Sequence, residues 1–160
     1  GIGKIKALQL STNVEIAKRM MRSERNKEII LDEAQKVWKF LYPEVRTDSV
    51  EKVWVLCLDR KNKLIKAEPV TSGTATGSLV HPREVFRPAI RHGATAIILA
   101  HNHPSGDPTP SSADLRVTNK IFEASKAVDL EMHDHVIVGE PCNCPNGIGY
   151  YSFLESEMLG

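Results

Sequence analysis

The stretch ATAIILAHNHPSGDPTPSSAD, residues 94–114, contains the features that decide the fold. It opens with an apolar run that is short enough for one buried strand and that leads directly into His101. A loop rich in proline and glycine follows, after which Ser111 or Ser112 is placed to cap a helix of about sixteen residues ending near Leu130. The stretch therefore predicts a strand, a loop and a helix in succession, a unit typical of α/β proteins.

The residues on either side extend this pattern with further strands. VWVLCL, residues 53–58, predicts a buried strand, and the polar residues 59–63 predict a turn into a returning strand over 64–70. MHDHVIVG, residues 132–139, predicts another strand after the helix. We expect the first two of these strands to form a hairpin.

Two further helices are predicted before the quoted stretch. His81-Pro82 is typical of a helix start, and Gly93 is placed to end that helix. Asp32 is placed to cap an earlier helix that we expect to end at Tyr42-Pro43. Helices that alternate with apolar strands predict an α/β domain whose sheet is covered by helices, with functional groups beyond the strand ends.

Composition narrows the class of protein. The chain has 160 residues, which is enough for one main domain, and its net charge of +1 argues against strong nonspecific binding of nucleic acid. We find no apolar run long enough to span a membrane and no secretory signal. The odd count of three cysteines does not suggest a secreted disulfide scaffold, so we expect a cytoplasmic protein. Because the chain begins with GIGKIK and lacks a methionine there, we expect a fragment of a longer protein.

The chemistry is concentrated where the central strand ends. Side chains alternate along a strand, so His101 and His103 are expected to project to the same side. Asp114 comes eleven positions after the second histidine, in the first turn of the next helix. Two histidines and one aspartate with an open fourth position are what a hydrolytic zinc site requires. Zinc would lower the pKa of a bound water from about 16 to about 7 and polarise a carbonyl.

The same residues have a simpler interpretation, and spacing alone gives the two roughly even odds. His101 and His103 could belong to a hydrogen-bonded turn. Asp114 could be the third residue of a capping box begun by Ser111, where a carboxylate favours the helix dipole. The metal interpretation is favoured by the absence of any packing purpose for two histidines at the mouth of an apolar strand.

The string HNHPSGDPTPSSAD resembles the signature of the JAMM metalloproteases, which is His-x-His-Pro followed, after a loop, by Ser-x-x-Asp. The run from VHPREVFRPAIRHGATAIILAHNHPSGDP to DHVIVG resembles the RadC branch of that superfamily. The resemblance implies a three-layer fold like that of JAMM proteins and cytidine deaminases, in which a mixed β-sheet is flanked by helices. It also implies a RadC/JAMM (MPN-like) domain over residues 25–160.

The resemblance further implies functions for individual residues. His101, His103 and Asp114 match the ligands of one zinc ion per chain, and Ser111 matches a serine that stabilises the tetrahedral oxyanion. Glu51, just before the first central strand, matches the general base, with Glu84 as a weaker competitor. The implied reaction is zinc-dependent hydrolysis of peptide or isopeptide amide bonds. Asn102 departs from the Ser or Thr that JAMM enzymes usually carry there, and we see no room for ubiquitin-clamping insertions, so a deubiquitinase is not expected.

The beginning of the chain raises an alternative function. GIGKIKALQL resembles the hairpin and second helix of a helix-hairpin-helix motif, which predicts a helical N-terminal extension over residues 1–24. Gly1, Gly3 and Lys4 could touch a DNA phosphate, although the fragment should bind DNA weakly because the first helix of the motif is missing. The alternative to a hydrolase is thus a DNA repair or recombination accessory with a structural metal. A zinc deaminase is disfavoured because its Cys-x-x-Cys ligands do not occur here.

Two other pairs of residues were considered as sites. His133 and His135 could form a second metal pair, but we interpret them as structural or as lining the cleft. Cys142 and Cys144 lack the paired spacing of a structural zinc site, so we expect a loop there.

Overall fold

The central sheet consists of five strands whose order and directions place the candidate site at one edge. In the computed structural model, residues 28–72 and 80–159 are described, together with positions 3, 5, 6, 9, 12 and 13. The strands are β1 (Lys52–Leu58), β2 (Leu64–Ser72), β3 (Ala96–Asn102), β4 (Glu131–Val138) and β5 (Tyr150–Ser152). Their order across the sheet is β2-β1-β3-β4-β5. Only β3 and β4 are parallel, and the other neighbours are antiparallel.

Helices cover both faces of this sheet. Helix α1 (Ala34–Val45) packs on one face, against residues such as Leu56, Ile98 and Val136. Helices α2 (Pro82–Arg91) and α3 (Ser112–Ala127) pack on the other, against residues such as Val55 and Leu99. The predicted α/β fold, with a mixed sheet between two helical layers, is confirmed. None of the helices in the described part of the chain is long and apolar enough to cross a lipid bilayer.

The predicted β1–β2 hairpin is present, and two helix boundaries were placed correctly. His81 is the N-cap of α2, with Pro82 in the first turn, and Gly93 follows the helix with a φ of 64°. Ser111, rather than Ser112, is the N-cap of α3. The segment around Cys142 and Cys144 forms turns, as expected.

Both ends of α1 differ from the prediction. The N-cap is Glu33, without a side-chain cap, because the Asp32 carboxylate pairs instead with Lys36 at 2.6 Å. The helix also continues through Pro43 to Val45. A proline inside a helix removes one backbone hydrogen bond, but Val45 is buried in the core, and this burial offsets the loss.

One strand was not predicted, and one predicted element cannot be compared with the structure. Strand β5 was not predicted, since three residues are too few to show a period. The helical extension expected over residues 1–24, with Gly1 and Lys4, lies outside the described residues apart from the separate positions given above.

Candidate metal centre

Two histidines and one aspartate meet at the end of β3, as the spacing predicted. His101 is the last but one residue of β3, His103 follows the strand, and Asp114 lies in the first turn of α3. Nε2 of His101 lies 3.1 Å from Nε2 of His103 and 3.3 Å from Oδ1 of Asp114. Nε2 of His103 lies 3.6 Å from Oδ2 of Asp114. One candidate ligand atom from each residue therefore points into the same small volume.

The three side chains differ in exposure in a way that suits a reactive site. His101 and Asp114 are buried, and the His103 side chain remains 16% exposed. Solvent therefore reaches the site past His103, while the other two candidate ligands are held in the protein interior.

The loop that carries His103 is tied to the end of β4. The amide of Glu140 donates to the carbonyl oxygen of Gly106 at 2.7 Å. A Cβ atom at Gly139 would lie 2.3 Å from that same oxygen, so only glycine permits this approach. The close contact fixes the loop beside the site.

The His103 ring has a defined proton position. Its Nδ1 lies 2.7 Å from the carbonyl oxygen of Asp107, which can only accept a hydrogen bond, so Nδ1 carries a proton. In the neutral ring, Nε2 then presents a lone pair to the site. His101 uses its Nδ1 to contact His135 at 2.9 Å, which leaves its Nε2 facing the site as well.

This arrangement fits a metal cation. Nitrogen lone pairs and a carboxylate at such short distances repel one another unless a positive charge lies among them. Two imidazole nitrogens and one carboxylate oxygen are also a donor set that Zn²⁺ and similar ions accept. The donor chemistry of these residues is therefore consistent with a bound divalent metal ion.

The electrostatics of the cluster point the same way. Burial on its own would raise the pKa of Asp114, but the close contacts of its carboxylate with His101 and His103 outweigh it and hold that pKa well below its usual range. Burial on its own would lower the pKa of His103, but the Asp114 carboxylate, the Asp107 carbonyl and the charge of Glu51 raise it. The Asp114 carboxylate is thus favoured in its ionised form, which attracts a cation.

The capping box and the grouping of Asp114 with the two histidines, which were offered as competing interpretations of Asp114, are both present. Oδ2 of Asp114 accepts hydrogen bonds from the amide and the hydroxyl of Ser111, each at 2.7 Å. The amide of Asp114 donates to the Ser111 hydroxyl at 3.2 Å. Because Oδ2 is held by the cap, Oδ1 is fixed in its direction toward His101.

Glu51 lies immediately before β1, near enough to the cluster for its charge to act on His103. Val53 pairs with His101 in the antiparallel register, and continuing that register places Glu51 opposite His103. The Asn102 side chain accepts from the Lys52 amide at 2.8 Å and donates to the Val50 carbonyl at 3.2 Å. Asn102 therefore holds the backbone on both sides of Glu51, which is half-buried.

The competing carboxylate, Glu84, is engaged elsewhere. Its Oε1 accepts from Arg87 at 2.9 Å and from Arg83 at 3.3 Å on the exposed side of α2. These ion pairs account for Glu84 without any contact to the cluster.

Two further residues adjoin the cluster. His135, on β4, contacts His101, and Thr118, on α3, contacts His135 at 2.6 Å. Sequence reasoning interpreted His135 as structural or cleft-lining without predicting its contact with His101, and it missed Thr118. The only sequence signal for Thr118 was weak: it follows Asp114 by four positions, which places both on one helix face. His133 lies apart from the cluster, with its Nε2 3.4 Å from Glu131.

Comparisons with known proteins show the family of this chain. Residues 31–158 match the family model described as the RadC-like JAB domain. A UPF0758 protein of Chlorobium phaeovibrioides is 43% identical over 159 residues, covering 99% of this chain and 68% of the relative. A UPF0758 protein of Methanosarcina barkeri is 40% identical over 140 residues, covering 88% and 61% respectively. The chain thus spans about two thirds of the length of these relatives, and the family match covers most of this chain. On this evidence the chain belongs to the RadC family, as a RadC-like JAB domain.

Proposed function

We propose that this domain is a zinc-dependent hydrolase that cleaves amide bonds in peptides or isopeptides. The observation that carries the proposal is the convergence of His101, His103 and Asp114 at a solvent-reached end of the sheet. Three protein ligands are typical of catalytic zinc sites, whereas structural zinc sites normally have four. When bound, zinc lowers the pKa of a coordinated water to about 7 and polarises a substrate carbonyl.

Glu51 is the proposed general base. A base must come within hydrogen-bond reach of the proton that it removes, and this choice is supported by the pairing of Val53 with His101 and by the effect of the Glu51 charge on His103. Its carboxylate would accept a proton as the water oxygen bonds to the carbonyl carbon. It would return this proton to the amide nitrogen as the carbon–nitrogen bond breaks, giving a carboxylic acid and an amine.

Ser111 is the proposed donor to the substrate oxygen. Its hydroxyl donates to Oδ2 of Asp114 in this structure. Because the Ser111 amide binds that same oxygen, the hydroxyl can turn away without leaving the carboxylate oxygen unpaired. The hydroxyl is thus free to donate to the negative charge that develops on a tetrahedral intermediate.

The alternative of a DNA repair accessory with a structural metal has less support. Among the described residues, the candidate ligand set has three members rather than four. Since the chain covers about two thirds of its relatives, both the substrate and any DNA contact of the longer protein remain proposals.

A cleavage assay tests the proposed reaction. The zinc-loaded protein is incubated with a mixed peptide library and with isopeptides that join a carboxyl terminus to a lysine side chain, and products are identified by mass spectrometry. We expect cleavage by the unmodified protein and a rate at least 100-fold lower in Glu51→Gln, on the scale typical of a lost general base.

Glu84→Gln is the matched control, because Glu84 is tied to Arg83 and Arg87 on α2. We expect its rate to equal that of the unmodified protein. Cleavage by Glu51→Gln at the full rate would remove Glu51 from the mechanism. A zinc-loaded protein that cleaves neither class of substrate would contradict the proposed function.

A further inference from the structure

A buried chain of hydrogen bonds leads from α3 through β4 to the first histidine of the cluster. The Thr118 hydroxyl donates to the carbonyl oxygen of Asp114 at 2.7 Å. The same hydroxyl lies 2.6 Å from Nδ1 of His135, and Nε2 of His135 lies 2.9 Å from Nδ1 of His101. The side chains of Thr118, His135 and His101, which form this series of hydrogen bonds, are all buried.

The position of every proton in this series of hydrogen bonds follows from the contact between Thr118 and the Asp114 carbonyl. A carbonyl oxygen can only accept, so the single hydroxyl proton of Thr118 must point to Asp114. Nδ1 of His135 must then be the donor to Thr118. In a neutral His135 ring, Nε2 is consequently an acceptor, and the proton between the two histidines belongs to Nδ1 of His101.

We propose that His135 and Thr118 are positioning residues that hold His101 in the tautomer protonated on Nδ1, so that its Nε2 always presents a lone pair to the metal. This inference rests on the proposed metal site. A histidine ligand usually donates its second ring N–H to a carboxylate, a backbone carbonyl or water, and that contact sets its tautomer. Here a second histidine has this function, and its own tautomer is set by a threonine.

Packing keeps the His135 ring in place. Phe153, which is fully buried, stacks on the ring with centroids 4.8 Å apart and planes inclined by 11°. A flip of the ring would put carbon atoms opposite both His101 and Thr118, and would break both hydrogen bonds. The stacked ring and the buried hydroxyl therefore define one orientation.

The two histidine ligands are thus controlled by different means. Nδ1 of His103 donates to a backbone carbonyl, which no substitution removes. Nδ1 of His101 depends on the side chains of His135 and Thr118. Side-chain replacements at these two positions should therefore alter His101 alone.

The first test is to read the tautomers directly by nitrogen-15 NMR of histidine-labelled, metal-free protein. Measurement at about pH 8.5, about two units above the ordinary histidine pKa of about 6.5, keeps the imidazoles neutral. We expect His101 and His135 to be protonated on Nδ1. Protonation of His101 on Nε2 in the unmodified protein would overturn the inference, and this result needs neither a variant nor a bound metal.

The second test uses zinc titration of variants of Thr118. Thr118→Val keeps the shape of the side chain but cannot accept from His135, so we expect zinc affinity to fall by about tenfold, at the lower end of the effect of such outer groups. Thr118→Ser restores the hydroxyl and should bind zinc within about twofold of the unmodified protein, well below that effect.

Ser125→Ala is the control for general damage to α3. Ser125 is also a buried hydroxyl on this helix, and it donates to the Phe122 carbonyl, away from the site. We expect its zinc affinity to be unchanged. Unchanged affinity and an unchanged His101 tautomer in Thr118→Val would refute the inference. Absence of zinc binding in all proteins would count against the proposed function, while the tautomer measurement would still decide the inference.

Discussion

Asp134 and His135 are neighbours on β4, and both are buried polar residues, but their hydrogen bonds lead to different parts of the molecule. On the α1 face, Asp134 accepts from the Ser152 hydroxyl at 2.6 Å and from the amides of His135 and Leu154 at 2.7 and 3.0 Å. On the α3 face, His135 connects Thr118 to His101. The first network joins β4 to the C-terminal segment, and the second ends at the candidate metal centre.

This difference shows that burial of a polar group does not by itself identify a functional site. Asp134 also borders a groove of about 550 Å³, which contains none of the predicted site residues. All its hydrogen-bond partners belong to the fold, whereas the His135 network leaves one lone pair, on His101, directed at other acceptors. The His101 lone pair that faces other acceptors identifies the candidate site, whereas neither the groove nor burial does so.

The two residues also respond to protons in opposite ways. Burial raises the pKa of Asp134 to about 6, although hydrogen bonds from Ser152 and the amides of Leu154 and His135 oppose it. Burial, assisted by the charge of His101, lowers the pKa of His135 well below its ordinary value. Both groups are thus favoured in their neutral forms by the folded state.

The largest expected effect comes from removing the charge at the site while keeping the helix cap. Asp114→Asn retains an oxygen that can accept from the Ser111 amide, but it loses the anionic ligand. We expect zinc affinity to fall by more than about 100-fold, which is the upper end of the effect of outer groups. Isothermal titration with zinc measures this. Asp134→Asn should bind zinc normally, and equal losses in the two variants would contradict the separation of the networks.

A large effect on stability, without any effect on metal binding, is expected from Asp134→Ala. The substitution leaves the Ser152 hydroxyl and two amides without their acceptor. We expect the free energy of unfolding to fall by about 3 kcal/mol. Urea denaturation followed by circular dichroism gives this value. The zinc content of the folded variant should match that of the unmodified protein, and a parallel loss of zinc would show that the two networks are one.

The pH dependence of stability sharpens the same comparison. Because the folded state raises the pKa of Asp134, its contribution is fully present below the unfolded pKa of about 3.8 and is lost as the pH rises through about 6. The contribution of His135 has the opposite sign: it is present above an unfolded pKa of about 6.5 and is lost as the pH falls.

Comparison with Asp134→Asn isolates the aspartate, since His135 is present in both proteins. Between about pH 4 and pH 7, the stability of the unmodified protein relative to the variant should fall by about 2 kcal/mol, given 1.36 kcal/mol for each pKa unit. Urea denaturation at a series of pH values measures this difference. A difference that does not change with pH would mean that Asp134 has an ordinary pKa.

The smallest expected effect concerns Asn102, whose side chain binds the backbone on both sides of Glu51. Asn102→Ser shortens the side chain so that it no longer reaches both Val50 and Lys52 around Glu51. We expect a loss of about 1 kcal/mol in stability, the value of a typical hydrogen bond, with kcat reduced by up to about tenfold and zinc content unchanged. Denaturation, the cleavage assay and metal analysis check these three values. An unchanged kcat would show that Glu51 does not need this support.

The sheet and the convergence of the candidate ligands were predictable from the sequence because local signals were strong. The apolar runs that became β1 and β3 are short and continuous, and side-chain alternation put His101 and His103 on one side. The end of α1 was predicted wrongly, because a local rule about Pro43 could not anticipate the burial of Val45.

The support around the ligands was not predictable, because it depends on contacts between distant parts of the chain. Thr118 and His135 meet only when α3 packs on β4. His135 was interpreted as structural or cleft-lining, and its contact with His101 depends on the parallel pairing of β3 with β4. The Asn102 contacts with Val50 and Lys52 join residues about fifty positions apart. Pattern and spacing contain no information on such pairings.

Metal analysis of purified protein tests the central claim most directly. Zinc per chain is measured by elemental analysis in the unmodified protein, in His103→Ala and in Glu51→Gln, after zinc is supplied at neutral pH and excess is removed. We expect one zinc per chain in the unmodified protein and in Glu51→Gln, and none in His103→Ala, because we propose His103 as a ligand and Glu51 as the general base. Absence of zinc from all three proteins would contradict the account.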